Sequence, residues 1–284
     1  MVVRQTSNGE AMDFIKEAKE AERRVRSYVR KTPLEYSPFL SKEGKNKTYL
    51  KLENLQLTGS FKIRGAINKI LSLTIEDREK GVITSSSGNH GEAFAYITDK
   101  LDIDGTIYLP KNASKAKITS LRNYGANLEF YGYDCVQTET HARDISLKQG
   151  LTFVSPYNDP KIIAGQATIG IELLEQLKDI DVILVPVGGG GLISGIAGYL
   201  KSVNKNIEVI GCQPINSAIM YESIKQGKIV TIDSLDTISD GTAGGIEENS
   251  ITLNFCQKYV DDFILVSELE IKDSIRLMLQ YHHM

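Results

Sequence analysis

Cysteine, proline and excess charge of either sign are scarce in this chain of 284 residues. The three cysteines, Cys135, Cys212 and Cys256, are odd in number and far apart. They fit neither a disulfide framework nor a zinc site, which points to a reducing, cytoplasmic compartment. Seven prolines beside 24 glycines exclude collagen-like and linker-dominated chains. Lys plus Arg number 33 against 36 Asp plus Glu, a net charge of -3, so there is no electrostatic footprint for nucleic acid or an anionic membrane. Met1 to Glu10 is polar and lacks the apolar stretch of a signal peptide. Long membrane-spanning runs are missing too. Val182 to Leu200 carries no charge, but Pro186 and four consecutive glycines within it argue for a strand, a loop and a helix.

What is present is an ordinary globular composition, 41% hydrophobic and 24% charged, which excludes disorder. The length admits one large or two modest domains. Residues 10–30 are rich in helix formers and stop before Pro33. Beyond them, strand-like and helix-like runs alternate. Strands are expected at 48–52, 81–85, 104–109, 128–131, 182–187, 208–212 and 262–266. Helices are expected at 60–73, 90–100, 114–124, 138–149, 165–177, 192–203 and 268–281. Strands alternating with helices of this length imply βαβ units and a mainly parallel α/β fold, with ligands at the carboxyl ends of the strands. No repeat and no linker of biased composition is visible, so two domains would have to be interleaved.

Three loops at those carboxyl ends carry candidate chemistry. In Val182–Leu192 a strand runs into Gly188, Gly189, Gly190 and Gly191 and then a helix. Successive amides and a helix N-terminus make an anion cradle suited to phosphate, although a flexible turn is the competing reading. Neither the dinucleotide nor the Walker pattern fits, because Ile193 replaces the third glycine and no Gly-Lys-Ser/Thr follows. In Leu55–Ala66, Lys62 lies between Phe61 and Ile63 near a helix start, with Arg64 close by. An amine in an apolar pocket near another cation loses proton affinity and becomes a nucleophile; the alternative is a surface lysine with a buried stem. In Ile83–Gly91, Ser86, Ser87, Asn89 and His90 offer small donors where a strand meets a helix. They suit a carboxylate, or serve as N-caps, with His90 as a hydrogen-bonded structural residue. A phosphate loop, an activated lysine and a carboxylate nest together are the requirements of pyridoxal phosphate chemistry on an amino acid.

The segments SFKIRGA, SSSGNHG and PVGGGGLISGIA, in that order, resemble the threonine/serine dehydratase and serine racemase family of fold-type II pyridoxal phosphate enzymes. The resemblance runs from about Thr32 to the last residue and includes Ile163–Gly170 and Asp240-Gly241. It implies two interleaved, mainly parallel sheets flanked by helices. Residues 1–74 and 155–284 would form a large cofactor-binding domain and residues 75–154 a small one. Lys62 matches the family's Schiff-base lysine, which also moves the proton at the substrate Cα. Phe61 would pack near the cofactor ring and Asn89 would bond its phenolic oxygen. Gly188 to Gly191 would hold the phosphate. Ser86, Ser87, Gly88 and His90 would surround the substrate carboxylate. The implied reaction takes L-threonine or L-serine to a 2-oxo acid and ammonia, in a homo-oligomer.

Ser87 opens an alternative, since many dedicated dehydratases of the family carry alanine there and serine racemases carry serine. Asp240–Gly245 looks like the hydroxyectoine-utilisation dehydratases of the same superfamily. Two departures stand out. The family's divalent cation site uses acidic side chains after the strand at 208–212, and Gln213–Ile219 has none, so no metal is expected there. Family members also continue past the final helix into a segment whose serine or threonine faces the pyridine nitrogen. This chain ends at Met284, which implies exposed apolar surface on the large domain. A shortened, catalytically weak cofactor-binding chain is therefore the rival from another class.

Overall fold

The computed structural model describes residues 12–284. Helix α1 spans Phe14–Val25, and the expectation for Met1–Glu10 lies outside the described residues. A short antiparallel pair follows, β1 Leu34–Tyr36 and β2 Tyr49–Lys51, with α2 Pro38–Gly44 between them. Then come α3 Lys62–Leu71, α4 Ile75–Lys80, β3 Val82–Ser85, α5 Asn89–Leu101, β4 Gly105–Leu109, α6 Lys115–Asn123 and β5 Asn127–Phe130. The chain continues through α7 Cys135–Gln149, β6 Thr152–Phe153, α8 Pro160–Gln176, β7 Val182–Pro186, α9 Gly191–Val203 and β8 Glu208–Pro214. It closes with α10 Ile219–Gln226, α11 Ile251–Tyr259, β9 Asp262–Val266 and α12 Glu268–Leu277, the last running into a π-turn at Met278–His282.

Two all-parallel sheets carry the alternation, in strand orders β5-β4-β3-β6 and β7-β8-β9. The α/β architecture with parallel sheets is the one expected. Element ends differ where caps decide them. Asp134 accepts from the Gln137 amide, so α7 starts at Cys135 rather than 138. Asp159 accepts from the Lys161 and Ile162 amides ahead of Pro160, so α8 starts five residues before 165. The first helix ends at Val25 instead of reaching 30, and the strand expected at 208–212 runs on to Pro214.

Two apolar cores lie either side of α3 and α8. Ile63, Ile67 and Ile70 of α3 pack with Val82, Phe94 and Ile107. Ala167, Ile169 and Leu173 of α8 pack with Val185, Ile196 and Val209. Ile162, at the start of α8, belongs to the first core, so this one helix serves both. Gly165 permits the closeness: a Cβ there would stand 2.5 Å from the Arg64 carbonyl oxygen. One side of the β7-β8-β9 sheet exposes Val182, Leu184 and Ile264. No helix among the described residues is long and apolar enough to cross a membrane.

A charge cluster joins α1, β2, α3 and α8. Arg64, fully buried, donates through Nη1 and Nη2 to Glu172 at 2.8 and 2.9 Å and through Nε and Nη2 to Glu53, both at 2.8 Å. Glu172 also accepts from Lys51 at 2.6 Å and Arg26 at 2.7 Å. Burial works to raise the Glu172 carboxyl, but hydrogen bonds and charge from Arg64, then Lys51 and Arg26, hold it down at about 2. Removing one partner leaves buried charge unmatched, so Glu172→Ala should lose about 3–5 kcal/mol in urea unfolding. The sign of the pH effect follows from a folded value below the unfolded 4.5. This contribution is whole above about 4.5 and is lost as pH falls toward about 2. Acid titration of wild type and Glu172→Ala should therefore converge toward the acid end of that window.

Candidate active site

Three of the loops at strand carboxyl ends meet, which is where ligands collect in parallel sheets. They are Ser86–Gly88 after β3, Val154–Asn158 after β6 and Val187–Gly190 after β7. Most helices here are closed by side chains: Asp13, Ser37, Thr74, Ser114, Asp134, Asp159, Ser250 and Ser267 each accept from a first-turn amide. The helices that carry the three motifs, α3, α5 and α9, have no side-chain cap; α10 is the other exception. The caps of α5 and α9 are Gly88 and Gly190. Ser86 accepts from the Gly88 amide at 3.4 Å, and neither Ser86 nor Ser87 caps α5. Two helix N-termini thus present donor amides and positive potential to whatever enters.

The glycine loop is backbone held against neighbours. None of the amides of Gly188 to Gly191 is taken up by a backbone carbonyl of the described residues. A Cβ on Gly189 would stand 2.6 Å from the Tyr157 ring, and one on Gly191 2.9 Å from Tyr157 Cβ. Gly190 has φ +84, and a Cβ there would meet Met220 Cε at 2.7 Å and Thr252 Cβ at 2.9 Å. Thr252 Oγ1 donates to the Gly189 carbonyl at 2.7 Å. The segment Asp240–Gly245 lies across this loop: a Cβ on Gly188 would be 3.1 Å from Thr242 Cα, and one on Gly241 4.0 Å from Asn89 Nδ2. Asn89, Gly241, Thr242 and Gly188 therefore form one continuous wall.

Lys62 opens α3, and its Nζ donates to the Pro156 carbonyl at 2.8 Å, 5.4 Å from the centre of the Phe61 ring. No carboxylate pairs with it among the described residues, and burial of the amine lowers its pKa to about 8. Lys62 as a whole residue is half-buried. Two residues earlier, the buried Ser60 hydroxyl has no hydrogen-bond partner among the described residues. His90 is buried, and its Nε2 lies 3.1 Å from the Val154 carbonyl. That oxygen can only accept, so Nε2 carries the hydrogen. Burial first, then the nearby Lys62 charge, push the ring down to about 3 despite this bond. A neutral ring with its proton on Nε2 has no N–H left on Nδ1. The ring braces the loop after β6 through the Val154 carbonyl. Ser86, Ser87 and Gly88 are half-buried and Asn89 is exposed.

The loop after β6 is the part that sequence reasoning missed. Pro156 holds the lysine and Tyr157 packs under the glycine loop; Asn158 accepts from the Ile251 amide at 3.0 Å. The signal was present in Ser155-Pro-Tyr-Asn-Asp159, a turn composition directly after a strand. Among the described residues no group of three His, Cys, Asp or Glu is placed to hold a metal ion.

Residues 25–284 match the family model described as pyridoxal-phosphate dependent enzyme, and the chain belongs to that family. The L-threonine ammonia-lyase of Thermotoga maritima is 42% identical over 95% of this chain and 67% of its own length. The catabolic L-threonine dehydratase of Escherichia coli is also 42% identical, over 95% of this chain and 81% of its own. The structure of maize serine racemase superposes with a TM-score of 0.91 at 34% identity, covering 95% of this chain and 82% of that one. The cofactor of the family is pyridoxal phosphate, and the residues present fit it. A desolvated amine without a counter-ion, four loop amides free of backbone partners, and an orphan hydroxyl at Ser60 lie in or beside the motifs.

Two outcomes are expected. Uptake of pyridoxal phosphate by the cofactor-free protein, followed by visible absorbance, should accelerate with pH through a midpoint near 8, where the Lys62 amine loses its proton. Gly190→Ala strains a left-handed position and should weaken cofactor binding roughly tenfold or more in a fluorescence titration.

Proposed function

We propose that this chain is a pyridoxal phosphate-dependent ammonia-lyase that converts L-threonine, and L-serine, to the 2-oxo acid and ammonia. The observation that carries the proposal is the Lys62 amine, unpaired, pushed down to about 8 and anchored beside an uncapped glycine loop. The names of the dehydratase relatives supply the substrate class. In this reading residues 1–74 and 155–284 form the cofactor domain and residues 75–154 the smaller one, in keeping with the two separate sheets. The chain works in the cytoplasm, as its free cysteines suggest, and as a homo-oligomer that covers part of its exposed apolar surface.

Bound pyridoxal phosphate supplies an electron sink for charge that develops at the substrate Cα. The protein supplies the rest. Gly188 to Gly191 and the α9 N-terminus would hold the phosphate. Phe61 would flank the ring, and Asn89 would be a hydrogen-bond partner for the cofactor. Ser86, Ser87 and the α5 amides hold the substrate carboxylate. His90 keeps the floor of that nest dry and neutral, so the carboxylate meets dipoles rather than a titrating cation. Lys62 takes the proton from Cα, a task suited to an amine whose pKa lies near working pH. Loss of the β-hydroxyl with that proton, then of nitrogen as ammonia, converts threonine to 2-oxobutanoate with no net change in water.

Racemisation is the second reading, favoured by one feature: the Ser87 hydroxyl is half-buried at the α5 N-terminus and is not used as a cap. A hydroxyl on the side of Cα opposite Lys62 would return a proton there. Ser87→Ala should then lower D-serine formation at least tenfold more than it lowers ammonia release.

The test is direct. Wild-type protein loaded with pyridoxal phosphate should show a visible band that L-threonine bleaches or shifts as 2-oxobutanoate accumulates. Lys62→Ala should lose both the band and at least about a thousandfold in rate, given what nucleophile and general-base functions contribute. A wild-type protein that forms no band would sink the proposal. A band indifferent to every hydroxy-amino acid would leave the cofactor and overturn the substrate.

A further inference from the structure

Glu247 lies outside all three motifs, yet its carboxylate has three polar partners, Ser155, Asn158 and Arg143. Its Oε2 accepts from Asn158 Nδ2 at 2.8 Å, and its Oε1 faces the Ser155 hydroxyl at 3.4 Å and Arg143 Nη2 at 2.9 Å. The Glu247 amide donates to the Tyr157 hydroxyl at 2.8 Å. Burial and the Glu247 charge both keep that phenol protonated, pushing its pKa upward. Arg143 is itself fixed, pairing with Glu139 at 2.7 Å and lying over the Phe153 ring with its guanidinium carbon 4.1 Å from the centroid. Ser155 Oγ in turn accepts from the Asn158 amide at 3.0 Å, and Asn158 Oδ1 accepts from the Ile251 amide. Pro156, whose carbonyl holds Lys62, sits between residues tied to this one carboxylate or its own backbone.

We infer that Glu247 is a positioning residue for Lys62: its carboxylate locks the Ser155–Asn158 loop, and through the Pro156 carbonyl it sets where the lysine amine stands. An isolated surface ion pair adds little. Here the carboxylate gathers charge-assisted bonds from α7 and from two positions of one loop, and each is stronger than a neutral bond. The consequence is geometric, because a misplacement of about 1 Å in a reacting group costs on the order of a hundredfold in rate. The same loop carries Tyr157 beneath Gly189 and Gly191, so the lysine and the phosphate cradle are held at a fixed separation by one clamp. The inference rests on the reading of Lys62 as the cofactor lysine for its functional meaning, but not for its structural content.

The experiment measures the protonation of Lys62 in the cofactor-free chain by competitive labelling with an amine reagent across pH, read by mass spectrometry of the Lys62 peptide. In Glu247→Ala the midpoint should rise by at least half a pH unit, as the freed loop admits water to the amine. Loss of a negative charge alone would lower it, so a rise reads the loosened loop. Cofactor affinity by fluorescence titration should fall roughly tenfold in parallel, and neither change should appear when Glu247→Ala is added to Asn158→Ala. Glu247→Gln, of the same size, is read in the same way if the alanine variant loses its circular dichroism signature. An unchanged or lowered Lys62 midpoint in a folded variant overturns the inference. If wild-type protein takes up no pyridoxal phosphate, the enzymatic reading fails, while the labelling midpoint still decides the role of Glu247.

Discussion

Arg64 is the constraint around which the molecule is arranged. A guanidinium with no exposed surface is tolerable only where geometry satisfies it, and its bonds to Glu53, Glu172 and Thr168 do so. Those partners come from the turn after β2 and from α8, so satisfying one side chain fixes α3 against both. The cluster is close to neutral: Arg26, Lys51 and Arg64 face Glu22, Glu53 and Glu172. Near-neutrality matters for the site, because a net negative cluster would keep the Lys62 amine protonated. Lys62 and Arg64 are two residues apart, about 200° around a helix, and so address opposite environments. One side of α3 holds a paired, permanently charged cation. The other presents an amine whose hydrogen-bond partner among the described residues is the uncharged Pro156 carbonyl.

The distribution of helix caps makes the same point at the level of backbone. Eight helices have their first-turn amides answered by a side chain, so this chain readily supplies Ser, Thr and Asp at helix starts. At α5 and α9 the cap is glycine. A glycine cap costs only a few tenths of a kcal/mol relative to a good one, and it leaves amides unanswered for an anion to complete. Ser86 and Ser87 stand just outside α5 without capping it, which keeps their hydroxyls available as additional donors. The stability forgone at these two starts is small beside what any anion bound there would return through mass action.

Much of this was legible in sequence because the informative residues are local. Strand, glycine and helix follow one another within a dozen residues at Val182–Leu192 and at Ile83–Gly91, and the spacing declares both loop and helix start. The alternation of runs identified parallel sheets for the same reason. What was not legible joins residues distant along the chain. Glu247 meets Asn158 across 89 positions and Arg64 meets Glu172 across 108. Neither pair is marked by periodicity. Short elements were also missed: β1 and β6 have three and two residues, too few for alternation to register. For His90 the sequence allowed a carboxylate-binding or a structural role; only the Val154 carbonyl, supplied by a loop 64 residues on, decides which nitrogen bears the proton.

Lys62 and His90 share one desolvated pocket and respond to it in complementary ways. Burial disfavours the charged form of each, and because their ordinary values differ, the outcome differs. The amine moves from 10.5 to about 8, close enough to neutrality to exchange protons. The imidazole moves from 6.5 to about 3 and drops out of acid–base chemistry. The coupling runs one way: after burial, the nearby Lys62 charge further depresses His90. One desolvated pocket thus leaves one of the two groups able to titrate near neutrality and turns the other into part of the scaffold. The loop after β6 receives both side chains, Lys62 on the Pro156 carbonyl and His90 on that of Val154, and so ties the titrating group to the scaffold.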